Sequence, residues 1–235
     1  MLKRQLFYDT IEKLNLDVDA ETYEKLDIYA ETLIEENKKY NLTAITEPDD
    51  ITIKHFADSV SLLASVDIKA GSSLIDVGTG AGFPGLVLKI ARPDIKLTFL
   101  DAREKKLLFI SKILEKLNLE AEILHARAEE AGQDKRYREK FDFATARAVS
   151  SLDILSEYCL PFVKPGGIFI SMKSSNIEEE TEKAKRNIWL LGGSIDRIHE
   201  FELAGNKRSN IIILKTEKTD DKYPRTASRI KKKQI

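Results

Sequence analysis

Residues 73–85, SLIDVGTGAGFPG, constrain this chain more than any other stretch. Leu74, Ile75 and Val77 form a short apolar run interrupted by Asp76. Gly78, Gly80, Gly82 and Gly85 follow within eight positions, and a second apolar run (Leu86, Val87, Leu88, Ile90) comes directly after. Glycine tolerates positive φ and carries no Cβ to obstruct a ligand, so the cluster predicts a tight turn that something approaches closely. Strand, turn and helix in that order place free N–H groups and a positive dipole end at the carboxyl end of a strand. In an α/β sheet that is where nucleotide-like ligands bind.

Two ligand readings fit the spacing. Gly80-x-Gly82-x-x-Gly85 matches the dinucleotide pattern, with Asp101 near the position about 20 residues on where a ribose-binding acid is expected. Asp76-x-Gly78-x-Gly80-x-Gly82 instead resembles the first motif of class I S-adenosylmethionine methyltransferases, again with Asp101 as the ribose acid, at the end of the second strand. A bare turn is the third possibility, but a turn alone needs neither four glycines nor a correctly spaced acid.

The rest of the chain favours the second reading. Strands are predicted at 73–77, 96–100, 121–125, 141–146, 166–172, 194–203 and 209–215, with helices at about 84–91, 103–117, 150–160 and 176–191. Alternating β and α predicts a mostly parallel seven-stranded sheet with helices on both faces. Ala204-Gly205-Asn206 joins the last two strands as a turn. A terminal hairpin after the last helix is the usual methyltransferase ending, not the usual dehydrogenase one. Upstream, Leu2, Leu6, Ile11 and Leu14 follow a rough helical period. Asp19 is placed to cap a second helix whose apolar positions are Tyr23, Leu26, Ile28, Tyr29, Leu33 and Ile34. A third helix over about 50–65 puts His55 and Asp58 on one face. The expected organisation is an N-terminal helical extension (1–70), a ligand-binding α/β domain (71–218) and a basic tail (219–235).

Composition excludes several classes. At 235 residues with 42% apolar and 33% charged residues, the chain can build a sizeable core. No apolar run is long enough for a bilayer span. The N-terminus has no signal-peptide core, so the expected location is the cytoplasm, with no membrane partner. The single cysteine, Cys159, fits a reducing compartment and reads as a small core residue. No Cys, His or Asp cluster has ligand spacing, so no metal is expected. Net charge is only −1, but residues 222–235 hold Lys222, Arg225, Arg229, Lys231, Lys232 and Lys233 without an acid, which suits either phosphate contact or a solvated terminus.

Taken together, these pieces resemble the bacterial ribosomal RNA small-subunit methyltransferase G family, also called glucose-inhibited division protein B. The matching segments run nearly end to end: Tyr40-Asn-Leu-Thr-Ala-Ile45, His55-x-x-Asp58-Ser59, the glycine loop, Lys105-Lys106, Arg127-Ala-Glu129, Ala146-Arg147-Ala148 and Tyr223-Pro224-Arg225. The resemblance implies a Rossmann-like class I methyltransferase fold. It implies methyl transfer from S-adenosylmethionine to N7 of a guanine in 16S ribosomal RNA, in the decoding region, on the small subunit or its assembly intermediate. Cofactor contacts are implied for Gly78, Phe83, Ala128, Glu129 and Arg147, beside Gly80, Gly82 and Asp101 of the loop reading. Asn41, His55, Lys106, Arg127, Arg147 and Arg225 match polar positions around substrate and cofactor. Lys173-Ser174 stands where the family commonly has Lys-Gly, and the end of the chain after Arg225 departs from the family's small-residue, proline-rich tail.

Guanine N7 is an acceptor without a proton, so methylation there requires alignment and no general base. Arg127 and Arg147 are accordingly expected to position rather than to polarise, one at the O6 edge or backbone and the other on the cofactor side, and His55 with Asp58 to contact a phosphate or the base, as part of a monomeric enzyme. Three rival readings stand beside this one: a nicotinamide-dependent oxidoreductase, an RNA-binding module without activity, and a methyltransferase for another nucleic acid or a small molecule.

Overall fold

The computed structural model describes residues 1–147, 150–174 and 177–232. Seven strands form one sheet: β1 (Ser73–Val77), β2 (Lys96–Asp101), β3 (Glu122–His125), β4 (Phe141–Arg147), β5 (Val163–Ser174), β6 (Gly193–Leu203) and β7 (Asn206–Lys215). Their order is β3-β2-β1-β4-β5-β7-β6. The first five pair in parallel, and β7 runs antiparallel to both β5 and β6. This is the mostly parallel sheet with a terminal hairpin that the pattern predicts. The hairpin turn is Ala204 and Gly205, both with positive φ, +47° and +82°, the two-residue geometry that matches strand twist.

Alternation along the strands divides the core. Leu74, Phe99, Phe143, Ile170 and Ile212 face one layer, built with the N-terminal helices α1 (Arg4–Glu12) and α2 (Ala20–Tyr40) and with α5 (Gly85–Ala91) and α6 (Glu104–Lys116). Ile75, Ala144, Phe169, Ile211 and Ile213 face the other, under α8 (Leu152–Cys159) and α9 (Glu178–Leu190). The N-terminal helices thus share a core with the sheet. Asp19 caps α2 as expected, accepting from the Thr22 N–H at 2.7 Å. Among the described residues no helix is long and apolar enough to cross a membrane.

The local structure departs from these expectations, or adds to them, at four places. In α1 the buried face is Phe7, Thr10 and Ile11; Leu6 is half-buried and Leu14 lies past the helix end. Phe7 fills the core as part of an aromatic group with Tyr8 and Tyr23, and this fixes the phase. The third helix is not regular. A short α3 (Pro48–Ile51) runs into a π-helical turn (Thr52–Ala57), then α4 (Asp58–Val60). Such turns favour functional sites, and this one carries His55. β5 begins at Val163, which pairs with Phe141 before the register shifts to Phe143–Ile168. Finally, residues 227–232 of the tail form α10 (Ala227–Lys232), anchored by buried Ile230. Ala148 of the Ala146-Arg147-Ala148 match, residue 176 and residues 233–235 lie outside the described residues.

Strand order reverses beside β1, which pairs with β2 on one side and β4 on the other. The crevice above the carboxyl ends of these strands is where such a sheet binds ligands.

Candidate active site

The glycine loop fills that crevice. Gly78, Gly80 and Gly82 have φ of +70°, +59° and +100°, a region that side chains with a Cβ rarely adopt. Asp76 fastens both ends of the loop: its Oδ2 accepts from the Thr79 hydroxyl at 2.6 Å and the Gly85 N–H at 2.8 Å. Burial raises the Asp76 pKa to about 6. The glycines have different reasons to be glycine. A Cβ at Gly85 would lie 2.6 Å from Asp76 Oδ2, and one at Gly82 would lie 2.9 Å from the Tyr29 hydroxyl. A Cβ at Gly80 would meet nothing closer than the Gly78 carbonyl at 3.9 Å. Gly82 and Gly85 therefore serve packing, while Gly78 and Gly80 border open space.

That space is a cavity of about 440 Å³. Asp101 lies on its rim, 5% exposed, with Oδ2 accepting from the Gly80 N–H at 2.9 Å and Oδ1 from the Arg103 N–H at 2.9 Å. Oδ1 also accepts from Arg103 Nε at 3.3 Å, so it is Oδ2 that keeps a lone pair open to a hydroxyl. Leu100, Ala126, Ala128 and Tyr158 give an apolar slot, with the Glu129 carboxylate beside it. Opposite, Phe83 stacks on His55 at 4.5 Å and on Tyr29 at 5.1 Å. A carboxylate for ribose hydroxyls, an apolar slot for a base and an aromatic wall for a sulfonium fit S-adenosylmethionine.

A second cavity of about 540 Å³ lies behind His55 and Arg147, which line both. Arg147 donates to the Lys54 carbonyl at 2.9 Å, to Asp58 Oδ2 at 3.0 Å and to His55 Nδ1 at 3.2 Å, and its Cζ sits 5.0 Å from the Phe83 ring centre. Because Arg147 donates, His55 Nδ1 accepts; Nε2 then carries the proton and donates to Thr43 Oγ1 at 2.8 Å. Arg208, on β7, lies 3.2 Å from Asp58 Oδ1 as an ion pair without hydrogen-bond geometry. Its guanidinium therefore keeps donors for a ligand. Arg147, by contrast, is already committed to three partners.

Burial, and then the Arg147 charge, lower the His55 pKa from 6.5 to about 3. Folded His55 is neutral at working pH. Between pH 6.5 and 3 the unfolded chain binds a proton that the folded chain refuses, so this contribution to stability is full above pH 6.5 and is lost as pH falls through that window. Asp76 acts oppositely, since its raised pKa gives stability below its unfolded value of 3.8 that is lost by about pH 6. Comparison with a variant isolates the histidine. The destabilisation caused by His55→Gln is expected to shrink by up to about 1.4 kcal/mol per pH unit as the medium is acidified below 6.5. Urea unfolding of both proteins at pH 7 and 4.5 measures it; equal differences at the two pH values would show that His55 titrates normally.

Residues 22–212 match the family described as rRNA small subunit methyltransferase G. The chain belongs to that family. Among curated relatives, the ribosomal RNA small subunit methyltransferase G of Acetivibrio thermocellus is 45% identical over 96% of this chain and 94% of its own. That of Alkaliphilus metalliredigens is 42% identical over the whole of both chains. A solved methyltransferase from Pyrococcus furiosus, 16% identical, superposes with a TM-score of 0.56 over 83% of this chain and 99% of its own. The fold is the Rossmann-like class I methyltransferase fold, and membership of the family sets the oxidoreductase reading aside.

For this methyltransferase G family member, the first cavity gathers Gly78, Gly80, Phe83, Asp101, Ala128, Glu129, Arg127, His55 and Arg147 of the residues singled out from sequence. Arg127 is 62% exposed on the rim, 3.6 Å from Glu129, and does not line the second cavity. Four residues lie elsewhere. Gly82 shapes the turn, as above. Lys106 is buried and donates to the carbonyls of Asn41 and Leu42. Asn41 is the left-handed C-cap of α2, with φ +48°, a position asparagine tolerates well. Lys106 and Asn41 thus fix the loop that delivers Leu42 and Thr43 to the first cavity. Arg225 is paired with Glu157, at 2.7 Å between Nη2 and Oε2. His55 and Asp58 are not an exposed pair but are buried in the cluster with Arg147. Sequence reasoning missed Arg208, Lys173 and Glu180 around the second cavity.

Proposed function

We propose that this chain transfers a methyl group from S-adenosylmethionine to N7 of a guanine in the decoding region of 16S ribosomal RNA, acting as a monomer on the small subunit or its assembly intermediate in the cytoplasm. The observation that carries this reading is the shared wall: one cavity suited to the cofactor and one of base size and cationic lining meet at His55 and Arg147. Family membership supplies the substrate class.

Bound S-adenosylmethionine supplies an electrophilic methyl group on a sulfonium. Asp101 would take the ribose hydroxyls, Glu129 the polar edge of the adenine, and Phe83 would border the sulfonium end. The guanine occupies the second cavity with N7 turned to the shared wall. N7 carries no proton, so nothing has to accept one. His55 suits that: it is neutral and both its nitrogens are engaged. Its part, with Arg147, is to shape the junction of the two cavities so that donor and acceptor align there, a contribution that can reach about 7–11 kcal/mol. The spare donors of Arg208 suit guanine O6 or a phosphate. The methylated base becomes cationic, and Asp58 faces it from the same cavity. A base paired in a helix must leave its stack to enter.

The test is methyl-labelled S-adenosylmethionine with small subunits from cells lacking the gene. Label in 16S RNA is expected. Thermal stabilisation by S-adenosylmethionine, about 2.7 kcal/mol at a hundred times Kd, is expected in parallel, with none from NAD. Stabilisation by NAD alone would overturn the reading.

A further inference from the structure

The second cavity holds a carboxylate that the methyl transfer itself does not use. Glu180, in the first turn of α9, lines it. One oxygen is doubly fixed: Oε1 accepts from the Leu152 N–H at 2.6 Å and from Lys173 Nζ at 2.7 Å. Lys173 is itself held by the Ser150 carbonyl at 2.7 Å. Oε2 has no hydrogen-bond partner among the described residues, and the side chain keeps 26% of its surface exposed. The carboxylate is therefore rigid, with one oxygen unpartnered among the described residues. Asp58, the other carboxylate lining the cavity, has a guanidinium against each oxygen.

We propose that Glu180 is a specificity-determining residue that selects guanine by accepting a hydrogen bond from the base's Watson–Crick edge. The inference rests on the reading of the second cavity as the base site. A purine that presents N7 to the shared wall turns the opposite side of its ring system away from that wall. In guanine this far edge carries N1–H and the N2 amino group, both donors. In adenine the same position N1 is a bare acceptor, which a carboxylate oxygen repels and leaves unpaired. Glu180 lines only the second cavity, away from the lining it shares with the first, and an acceptor there admits one purine and rejects the other, while N7, present in both, discriminates nothing. Bonding of Oε1 to Leu152 and Lys173 locks the side chain before the base arrives, so little is lost in ordering it on binding.

Glu180→Gln tests this directly. The amide oxygen can keep the Leu152 and Lys173 contacts, and the amide N–H₂ then replaces Oε2, turning an acceptor into a donor that matches adenine N1. Small subunits reconstituted with 16S RNA carrying either guanine or adenine at the methylated position are the substrates. The readout is kcat/KM for label transfer to each. The guanine-to-adenine ratio is expected to fall by roughly 10- to 100-fold in Glu180→Gln, and Glu180→Ala, with neither acceptor nor donor, is expected to lie between. An unchanged ratio in both variants, whatever happens to their melting temperatures, would reduce Glu180 to a clamp between α8 and α9. If the wild-type protein fails to methylate the guanine particle, the reading of the site fails and the inference falls with it; if wild type methylates and only the ratio is unmoved, the inference alone fails.

Discussion

Arg147→Ala is expected to lower methyl transfer by about a hundredfold or more, the scale on which an ångström of misplacement acts. The side chain is 12% exposed and lines both cavities where they meet. Its loss removes the anchor of His55 Nδ1 and leaves Asp58 with Arg208 alone. The Gly80 loop, Asp101 and Glu129 stay in place, so cofactor affinity is expected to fall much less than turnover. Single-turnover transfer at saturating S-adenosylmethionine gives the first quantity and calorimetric titration the second. Arg147→Lys is not expected to restore turnover, because one ammonium cannot reach the Lys54 carbonyl, Asp58 and His55 in the same planar arrangement. Near-wild-type turnover in Arg147→Ala would make the cluster a structural ion pair and nothing more.

The second large effect is on stability. Arg225→Ala is expected to cost about 3 kcal/mol, the lower part of the range for breaking a buried pair. Glu157 is 1% exposed, and Arg225 reaches it through Nε at 2.9 Å and Nη2 at 2.7 Å, with the backbone N–H at 2.8 Å. The variant keeps only the backbone bond to a buried carboxylate. The melting temperature should fall by roughly 6–12 °C. The double replacement Glu157→Leu with Arg225→Met is expected to recover most of the loss, because two apolar side chains leave no stranded charge. This separates anchoring from RNA contact. Neighbouring bonds favour anchoring: Arg138 donates to the carbonyls of Thr219 and Tyr223, and Thr219 N–H is held by Glu139. Unchanged stability with lost RNA binding in Arg225→Ala would restore the substrate role implied by the Tyr223-Pro224-Arg225 match.

Local signals made much of this molecule readable before its structure. The glycine loop announces itself because positive φ demands a particular residue, and the strands do so because apolar runs bounded by turn residues have few alternatives. The first cavity was legible for the same reason, as its parts stand at the ends of β1, β2, β3 and β4. The second cavity was not. Asp58, Arg147 and Arg208 lie in three distant segments, and no period or spacing couples a helix, a parallel strand and an antiparallel one. Glu180 looked like an ordinary acid in a helix's first turn, and only its bonds to Leu152 and Lys173 mark it. Lys106 and Asn41 were singled out as ligand contacts, and no motif showed the structural place that they also hold: Lys106 binds two backbone carbonyls and Asn41 takes a left-handed φ. The phase of α1 went astray because Leu6 and Phe7 are adjacent, and aromatic packing with Tyr23, not hydrophobicity, decides between them.

Guanine N7 is the atom on which the proposed mechanism turns, and one chemical test reads it. Small subunits from cells lacking the gene are methylated with this protein, and their 16S RNA is treated with borohydride and aniline, which cleave at N7-methylguanine. A single new cleavage site, absent without S-adenosylmethionine and strongly reduced with Arg147→Ala, is the result predicted. Incorporated label without any cleavage would place the methyl group on another atom and contradict the proton-free mechanism assigned to this site.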